Sequence, residues 1–251
     1  SNAFNFNYRK NKVNFFTNLS QNYRRNFQDL FIQRKFIDAG TKEVRSLFDQ
    51  ETNIREGGES YNGKIGLDYF ASPKTTWGVV ANGFYSPGTF SSNSNVRIAD
   101  PNNVLLSRTL SGTHNDRKWT HGGLNLNFRK QFDSTGRELT ADADLLRYNS
   151  SNAQDLVNAY YDPSGLPLMK ADTLLGNLPQ NIRIYSGKMD YVHPLAKGAK
   201  LEAGFKTSFV HTDNNALYDS LNYGVRVKDI GRSNHFIYDE NVNAAYINYS
   251  R

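Results

Sequence analysis

Apolar and polar residues take turns along much of this chain. In residues 124–146, LNLNFRKQFDSTGRELTADADLL, Leu124, Leu126 and Phe128 alternate with Asn125, Asn127 and Arg129; beyond a polar break, Leu139, Ala141, Ala143 and Leu145 alternate with Thr140, Asp142 and Asp144. A period of two predicts strands with one oily and one wet side, joined here as a hairpin. The same pattern runs through SYNGKIGLDYF, TWGVVANGFY, RIYSGKMDYV and LEAGFKTSFV, whose wet sides carry Lys64, Asp68, Asn82, Lys188, Asp190, Glu202 and Lys206. Nine strands are predicted, at roughly 4–8, 12–22, 59–71, 75–85, 119–132, 138–148, 182–193, 200–210 and 236–249. Helical periodicity is poor, although part of 24–50 can be read as helix.

The breaks between strands alternate in length. Short charged turns are centred near Asn11, Pro73, Thr135 and Lys197, each 62 residues after the last, with no residue-by-residue repeat. Between them lie long Ser-, Asn-, Asp- and Gly-rich segments at 86–118, 149–181 and 211–234, and a more charged one at 23–58, all predicted as loops. Sandwiches and small soluble barrels mix loop lengths without strict order. Outer-membrane barrels put short turns at the periplasmic end and long loops outside, and need one lipid wall and one polar lumen wall. The expected fold is therefore all-β: an antiparallel up-and-down meander, part of a transmembrane β-barrel. Tyr69, Trp77, Phe128, Phe132 and Tyr191 lie three to seven residues from the short-turn centres, the height of an interfacial aromatic girdle.

Composition agrees. The chain has 251 residues, of which 38% are hydrophobic, and a mean hydropathy of −0.66; no apolar run is long enough for a spanning helix, a limit that does not apply to strands. Without cysteine there is neither a disulfide scaffold nor a cysteine metal site. The net charge of +6 comes from 30 Lys and Arg spread thinly rather than clustered, which argues against a nucleic-acid partner. Ser1-Asn2-Ala3 reads as a tag remnant, leaving 4–251 as the domain.

LDYFASPKTTWGVVANGFY, GLNLNFRKQFDSTGRELTADADL, KMDYVHPLAKGAKLEAGFKTSF, FIYDENVNAAYINYS and the opening FNFNYRKNKVNFF resemble the β-barrel region of TonB-dependent outer-membrane receptors of the Bacteroidetes type. The resemblance implies the bacterial outer membrane, uptake of a scarce nutrient such as a siderophore or glycan, and a plug domain and TonB as partners. Such barrels have about 22 strands. The chain therefore reads as a partial barrel, without plug or closing strands, that binds or transports little alone. Two bare edges are intolerable in lipid, so they are expected to pair with another copy, fold over, or close into a small barrel.

No catalytic motif is present: no nucleophile elbow, P-loop or dinucleotide fingerprint, so an enzyme is not expected and no cofactor is called for. His114, His121, His193, His211 and His235 stand far apart, and none forms a metal-binding pair; no metal site is expected. Asp142 and Asp144 share one side of a strand, where wet-wall hydrogen bonding is the plainer role than acid–base chemistry. DPNN (100–103) and DPSG (162–165) read as turns before they read as calcium loops. The predicted lumen wall carries Asn125, Asn127, Asp142, Asp144, Lys188 and Glu202. The predicted lipid wall carries Leu124, Leu126, Phe128, Leu139, Ala141, Ala143, Met189 and Phe205. Phe90, Tyr160, Tyr161, Tyr218 and Tyr223, placed in long loops, are the candidates for contact with a small-molecule or oligosaccharide ligand. The rival function is a soluble secreted β-module gripping surface glycans through those rings, with its apolar faces forming an interior.

Overall fold

The computed structural model describes residues 1–222 and 224–251; Tyr223, one of the ligand-contact candidates, lies outside the described residues. The period-two segments become strands β1 (Asn2–Lys10), β2 (Val13–Ile37), β3 (Val44–Ser72), β4 (Thr75–Ala99), β5 (Leu105–Gln131), β6 (Glu138–Tyr161), β7 (Asp172–Asn177), β8 (Gln180–Pro194), β9 (Lys200–Asn222), β10 (Val225–Lys228) and β11 (Asn234–Ser250). All belong to one antiparallel sheet. β7 and β8 occupy one line between β6 and β9: the pairing Ala153↔Asn177 resumes as Ser150↔Gln180 in unbroken register, past Leu178 and Pro179. Proline has no N–H for a ladder, which explains the gap. β10 and β11 likewise share one line beside β9, separated by an excursion at 229–233. The eleven strands thus fill the nine predicted lines.

The short turns keep their predicted spacing. The midpoints between the paired residues Lys10 and Val13, Ser72 and Thr75, Gln131 and Glu138, and Pro194 and Lys200 fall at 11.5, 73.5, 134.5 and 197.

Among the described residues, the long segments between them are mostly strand, with irregular connections at 38–43, 100–104, 162–171, 178–179 and 229–233. These segments continue the same strands, so that β3 spans 29 residues and β5 spans 27. Residues 24–50, readable as part helix, are mostly β2 and β3. Here both sides of the sheet meet water, and alternation vanishes from the sequence although the backbone ladder persists. Polar cross-strand pairs hold it: Thr52 Oγ1 donates to Ser94 Oγ at 2.9 Å, and Arg97 pairs with Asp49 at 3.3 Å.

Three of the far ends repeat one device. Asp38, Asp100 and Asp162, again 62 apart, each accept two backbone N–H bonds with one carboxylate oxygen: Gly40 and Thr41, Asn102 and Val104, Ser164 and Leu166. The returning strand enters past a positive-φ residue, Lys42, Asn103 or Gly165. DPNN and DPSG are thus the turns they were read as.

The registers sort side chains into two faces. One row crosses eight lines as Val13, Tyr69, Trp77, Phe128, Ala141, Met189, Phe205 and Ala245; the next holds Tyr8, Phe15, Leu67, Val79, Leu126 and Ala143. The row on the reverse side reads Arg9, Asn14, Asp68, Gly78, Asn127, Asp142, Lys188 and Lys206. All eight predicted lipid-wall residues share the first face, and all six predicted lumen-wall residues share the second.

Nothing among the described residues covers the oily face. Leu126 is 52% exposed and Met189 51%, and among the described residues the only buried hydrophobic side chains are Ala99 and Ala199. A compact globule of 28.5 kDa exposes about 11,000 Å², whereas this chain exposes 16724 Å². The interior that a soluble module needs has no counterpart among the described residues.

Aromatic pairs bound the oily band. Trp77 and Phe128 meet at 4.4 Å, and Phe132 and Tyr191 at 6.1 Å, near the short turns; Tyr61 stacks on Tyr85 at 6.2 Å at the other rim. Tyr61 to Tyr69 measures ~27 Å along β3, or about 20 Å at a barrel-like tilt, close to the ~25 Å apolar band of such walls. Beyond Tyr61, β3 runs on for another ~58 Å to Val44.

The sheet is open. β1 ends it on one side and β11 lies outermost on the other, and among the described residues the two do not pair. Of the three outcomes expected for the edges, closure into a small barrel is thus not seen in the single chain. A barrel of about eight strands holds packed side chains or one small ligand, whereas this wet face carries Arg117, Trp119, Lys188, Lys206 and Tyr246, large or charged side chains.

Candidate functional site

Within the membrane-height band, the wet face carries three clusters of linked polar side chains. Asn125 Nδ2 donates to Asp144 Oδ1 at 2.7 Å, Asn127 Nδ2 to Asn125 Oδ1 at 3.1 Å, and Ser186 Oγ to Asp144 Oδ2 at 3.0 Å. Lys188 pairs with Asp190 at 2.6 Å, and Glu202 accepts from Lys200 at 2.5 Å and from Asn248 at 3.0 Å. Polar groups linked in this way keep a wall wet without leaving donors or acceptors unused. Asp142 and Asp144 point the same way, and Asp144 is engaged by Asn125 and Ser186.

Just beyond the upper aromatic rim the same face opens into a recess of about 500 Å³. One cross-strand row forms its floor: Arg24, Gly58, Gly88 and Arg117, on β2 to β5. The two glycines leave the middle bare. They also let β3 and β4 approach closely, since a Cβ on Gly58 would stand 2.7 Å from the Pro87 carbonyl oxygen. Opposite Pro87 the regular pairing lapses, and Ser86 Oγ donates instead to the Glu59 carbonyl at 2.8 Å. Across the bare floor, Arg117 reaches Glu56 at 2.8 Å and lies 5.2 Å from the Phe90 ring. Arg24 approaches the same carboxylate only to 3.8 Å, with its side chain 70% exposed.

Aromatic rings stand below that floor. Ser86 pairs with Trp119, and in the next row Phe84, His121 and Tyr148 lie side by side, the last two rings 4.4 Å apart. Trp119 is 50% exposed on the wet face. Around this patch, Asn115 Oδ1, Asn152 Oδ1 and His121 Nε2 are buried with no partner among the described residues.

The residues expected to touch a ligand lie elsewhere or apart. Phe90, Tyr160 and Tyr218 are in strands β4, β6 and β9 rather than loops, on the wet face; Tyr161, beside Tyr160, faces the other way. None of them lines the recess; Phe90 comes nearest to it in the contacts described, against Arg117. Each histidine has its own local partner: His114 with Asp116 at 3.5 Å, His121 with Tyr148, His193 with Tyr191 at 3.3 Å, His211 with Asp239 at 2.6 Å and His235 with Asp213 at 2.8 Å. Arg24, Glu56 and Arg117 fall in the segments 23–58 and 86–118 predicted as loops, and Trp119 opens the predicted strand 119–132, where nothing in the sequence sets it beside them; Gly57-Gly58 and Pro87-Gly88 lie within those same loop segments. Those dipeptides were nonetheless the available signal, since glycine within a strand marks a bend or a close approach.

Residues 130–251, a little under half of the chain, match the outer membrane protein beta-barrel family. The matched stretch holds β6 to β11, and residues 4–129 carry the same hairpin unit. No curated protein and no solved structure gives a match. Together with the two-faced sheet, the family match supports an outer-membrane β-barrel, and the location of the chain is the bacterial outer membrane.

Proposed function

We propose that the chain is part of the wall of a TonB-dependent receptor that takes up a scarce nutrient, such as a siderophore or glycan. The observation that carries this reading is the wet face. Its lower part carries the Asn, Asp, Lys and Glu side chains of a wall that meets water, interrupted by Leu146, Ile184 and Val210, and its upper part holds a recess whose floor and rings are not needed for a core. In that role the chain contributes no chemistry. Energy comes from TonB acting on a plug, and the wall provides the path and the first contacts with the ligand. Lipid meets the opposite face, and the free edges of β1 and β11 pair with further strands or with a second copy.

Gene deletion tests the reading. A bacterium lacking the gene is grown on single iron chelates, vitamins or oligosaccharides, each the only source of its nutrient. Growth should fail on one of them, and uptake in the parent strain should stop when a protonophore collapses the inner-membrane gradient. Uptake that continues without that gradient would overturn TonB dependence. Unchanged growth on every source would overturn the transport role.

A further inference from the structure

We propose that the glycine-floored recess binds an acidic sugar, its ring laid on Trp119 and its carboxylate held by Arg24. The inference rests on the transport reading above and narrows its ligand.

Three independent features point to this chemistry. The first is an uneven pair of arginines. Arg117 is committed, bonded to Glu56 and lying against Phe90, whereas Arg24 is loosely held and exposed. With Glu56 neutralising Arg117, one cation is left facing the recess. A planar guanidinium with free N–H groups takes a carboxylate through two parallel hydrogen bonds. Glu59 does not cancel that charge, because its carboxylate accepts from the Tyr61 hydroxyl on the oily side.

The second feature is the exposed indole on a wet wall. Trp119 has its face open beside Phe84, His121 and Tyr148. The C–H bonds on one side of a pyranose carry partial positive charge and rest well on the negative face of an aromatic ring. The third is a set of unpartnered polar atoms on the same face, His121 Nε2 in the row of rings and Asn115 Oδ1 and Asn152 Oδ1 beside Arg117. They are closed to solvent, so sugar hydroxyls would satisfy them only as these side chains turn toward the recess. A volume of about 500 Å³ is ample for one ring. A neutral sugar would leave Arg24 idle, and a small anion would leave Trp119 idle.

The test uses the whole chain in detergent micelles, carrying Trp77→Phe so that Trp119 is the sole tryptophan. Fluorescence is titrated with trigalacturonate, maltotriose and acetate, and saturation-transfer NMR on the sugars repeats the comparison with Trp119→Ala. One wall binds weakly, at about millimolar. Trigalacturonate should bind at least tenfold more tightly than maltotriose; Arg24→Gln should erase that preference, and Trp119→Ala should abolish binding of both. Equal binding of the two sugars, or a preference that survives Arg24→Gln, overturns the acidic class. Acetate binding as well as trigalacturonate overturns the sugar. Absence of all binding, in samples whose heat-modifiable electrophoretic mobility shows a folded sheet, overturns this inference and leaves the transport reading standing. A chain that shows no such fold in micelles or vesicles contradicts the barrel wall itself.

Discussion

Replacing Leu126 with arginine puts the two-faced sheet under direct strain. Leu126 sits in the oily band of β5, two residues from the Trp77–Phe128 pair, with Val79 and Ala143 directly opposite and half of its own surface open. No acidic side chain shares its row on that face, so a guanidinium there has hydrocarbon for a neighbour. One row inside the rim, between the interface, where such a change costs about 0–1 kcal/mol, and the midplane, where it costs about 2–4, the cost is about 1–3 kcal/mol, which is roughly a 5- to 150-fold shift in the folded fraction. One position along, Asn127 points to the wet face opposite Asp142. There Asn127→Arg should change stability by no more than about 1 kcal/mol, since a solvated ion pair contributes little. Urea titration of both variants in phospholipid vesicles, followed by heat-modifiable mobility, measures the difference. Equal effects would refute the assignment of faces, and a costlier Asn127→Arg would invert it.

Three further outcomes follow from the same geometry. Gly58→Val should destabilise the chain by about 1–3 kcal/mol, as overpacking does, because the new Cβ meets the Pro87 carbonyl; a neutral result in the same titration would remove the close approach from the account. The hydroxyl of Ser164, then the Leu166 N–H, holds the Asp162 carboxyl below its ordinary value, and the Thr41 and Gly40 N–H groups do so for Asp38. A lowered folded value stabilises the hairpin tips above the unfolded carboxylate pKa of about 3.9 and loses that contribution as pH falls through the folded value. Amide exchange at Ser164 and Leu166, corrected for intrinsic rates, should therefore be flat from neutral pH to about 5 and speed up below about 4; tips that loosen between pH 7 and 9 would contradict it. Bromine-labelled acyl chains should quench Trp77 strongly and Trp119 weakly, with the reverse for aqueous iodide, and equal quenching by either agent would count against the band.

How far the fold was legible depended on what each face touches. Where one face meets lipid, as in Leu124-Asn125-Leu126-Asn127, alternation fixes both the strand and its orientation, and the short turns set the register. Where both faces meet water, as in Ser91-Ser92-Asn93-Ser94, nothing alternates, and residues of low strand propensity suggest loop. The ladder holds there because it grows from a hairpin already aligned below and is sealed above by an aspartate turn. Asp100 and Asp162 are each followed by a proline, which marks a turn in the sequence, whereas Asp38 is not, so the 62-residue spacing of the three tips shows only in the structure. The recess was illegible for a different reason. Arg24, Glu56 and Arg117 lie up to 93 positions apart in sequence, and only the lateral registers through Gly58 and Gly88 bring them together.

The chain has no cysteine, so single cysteines placed one at a time from residue 122 to 129 give the most direct test of the central claim. Each is introduced into the chain in vesicles and challenged with a membrane-impermeant thiol reagent and with a lipid-soluble one, the vesicles being permeabilised so that both sides of the sheet meet the reagent. Positions 123, 125, 127 and 129 should react with the aqueous reagent, and 122, 124, 126 and 128 with the lipid-soluble one. Reversal of that alternation, or uniform reaction with the aqueous reagent along the whole stretch, would contradict a sheet standing between hydrocarbon and water.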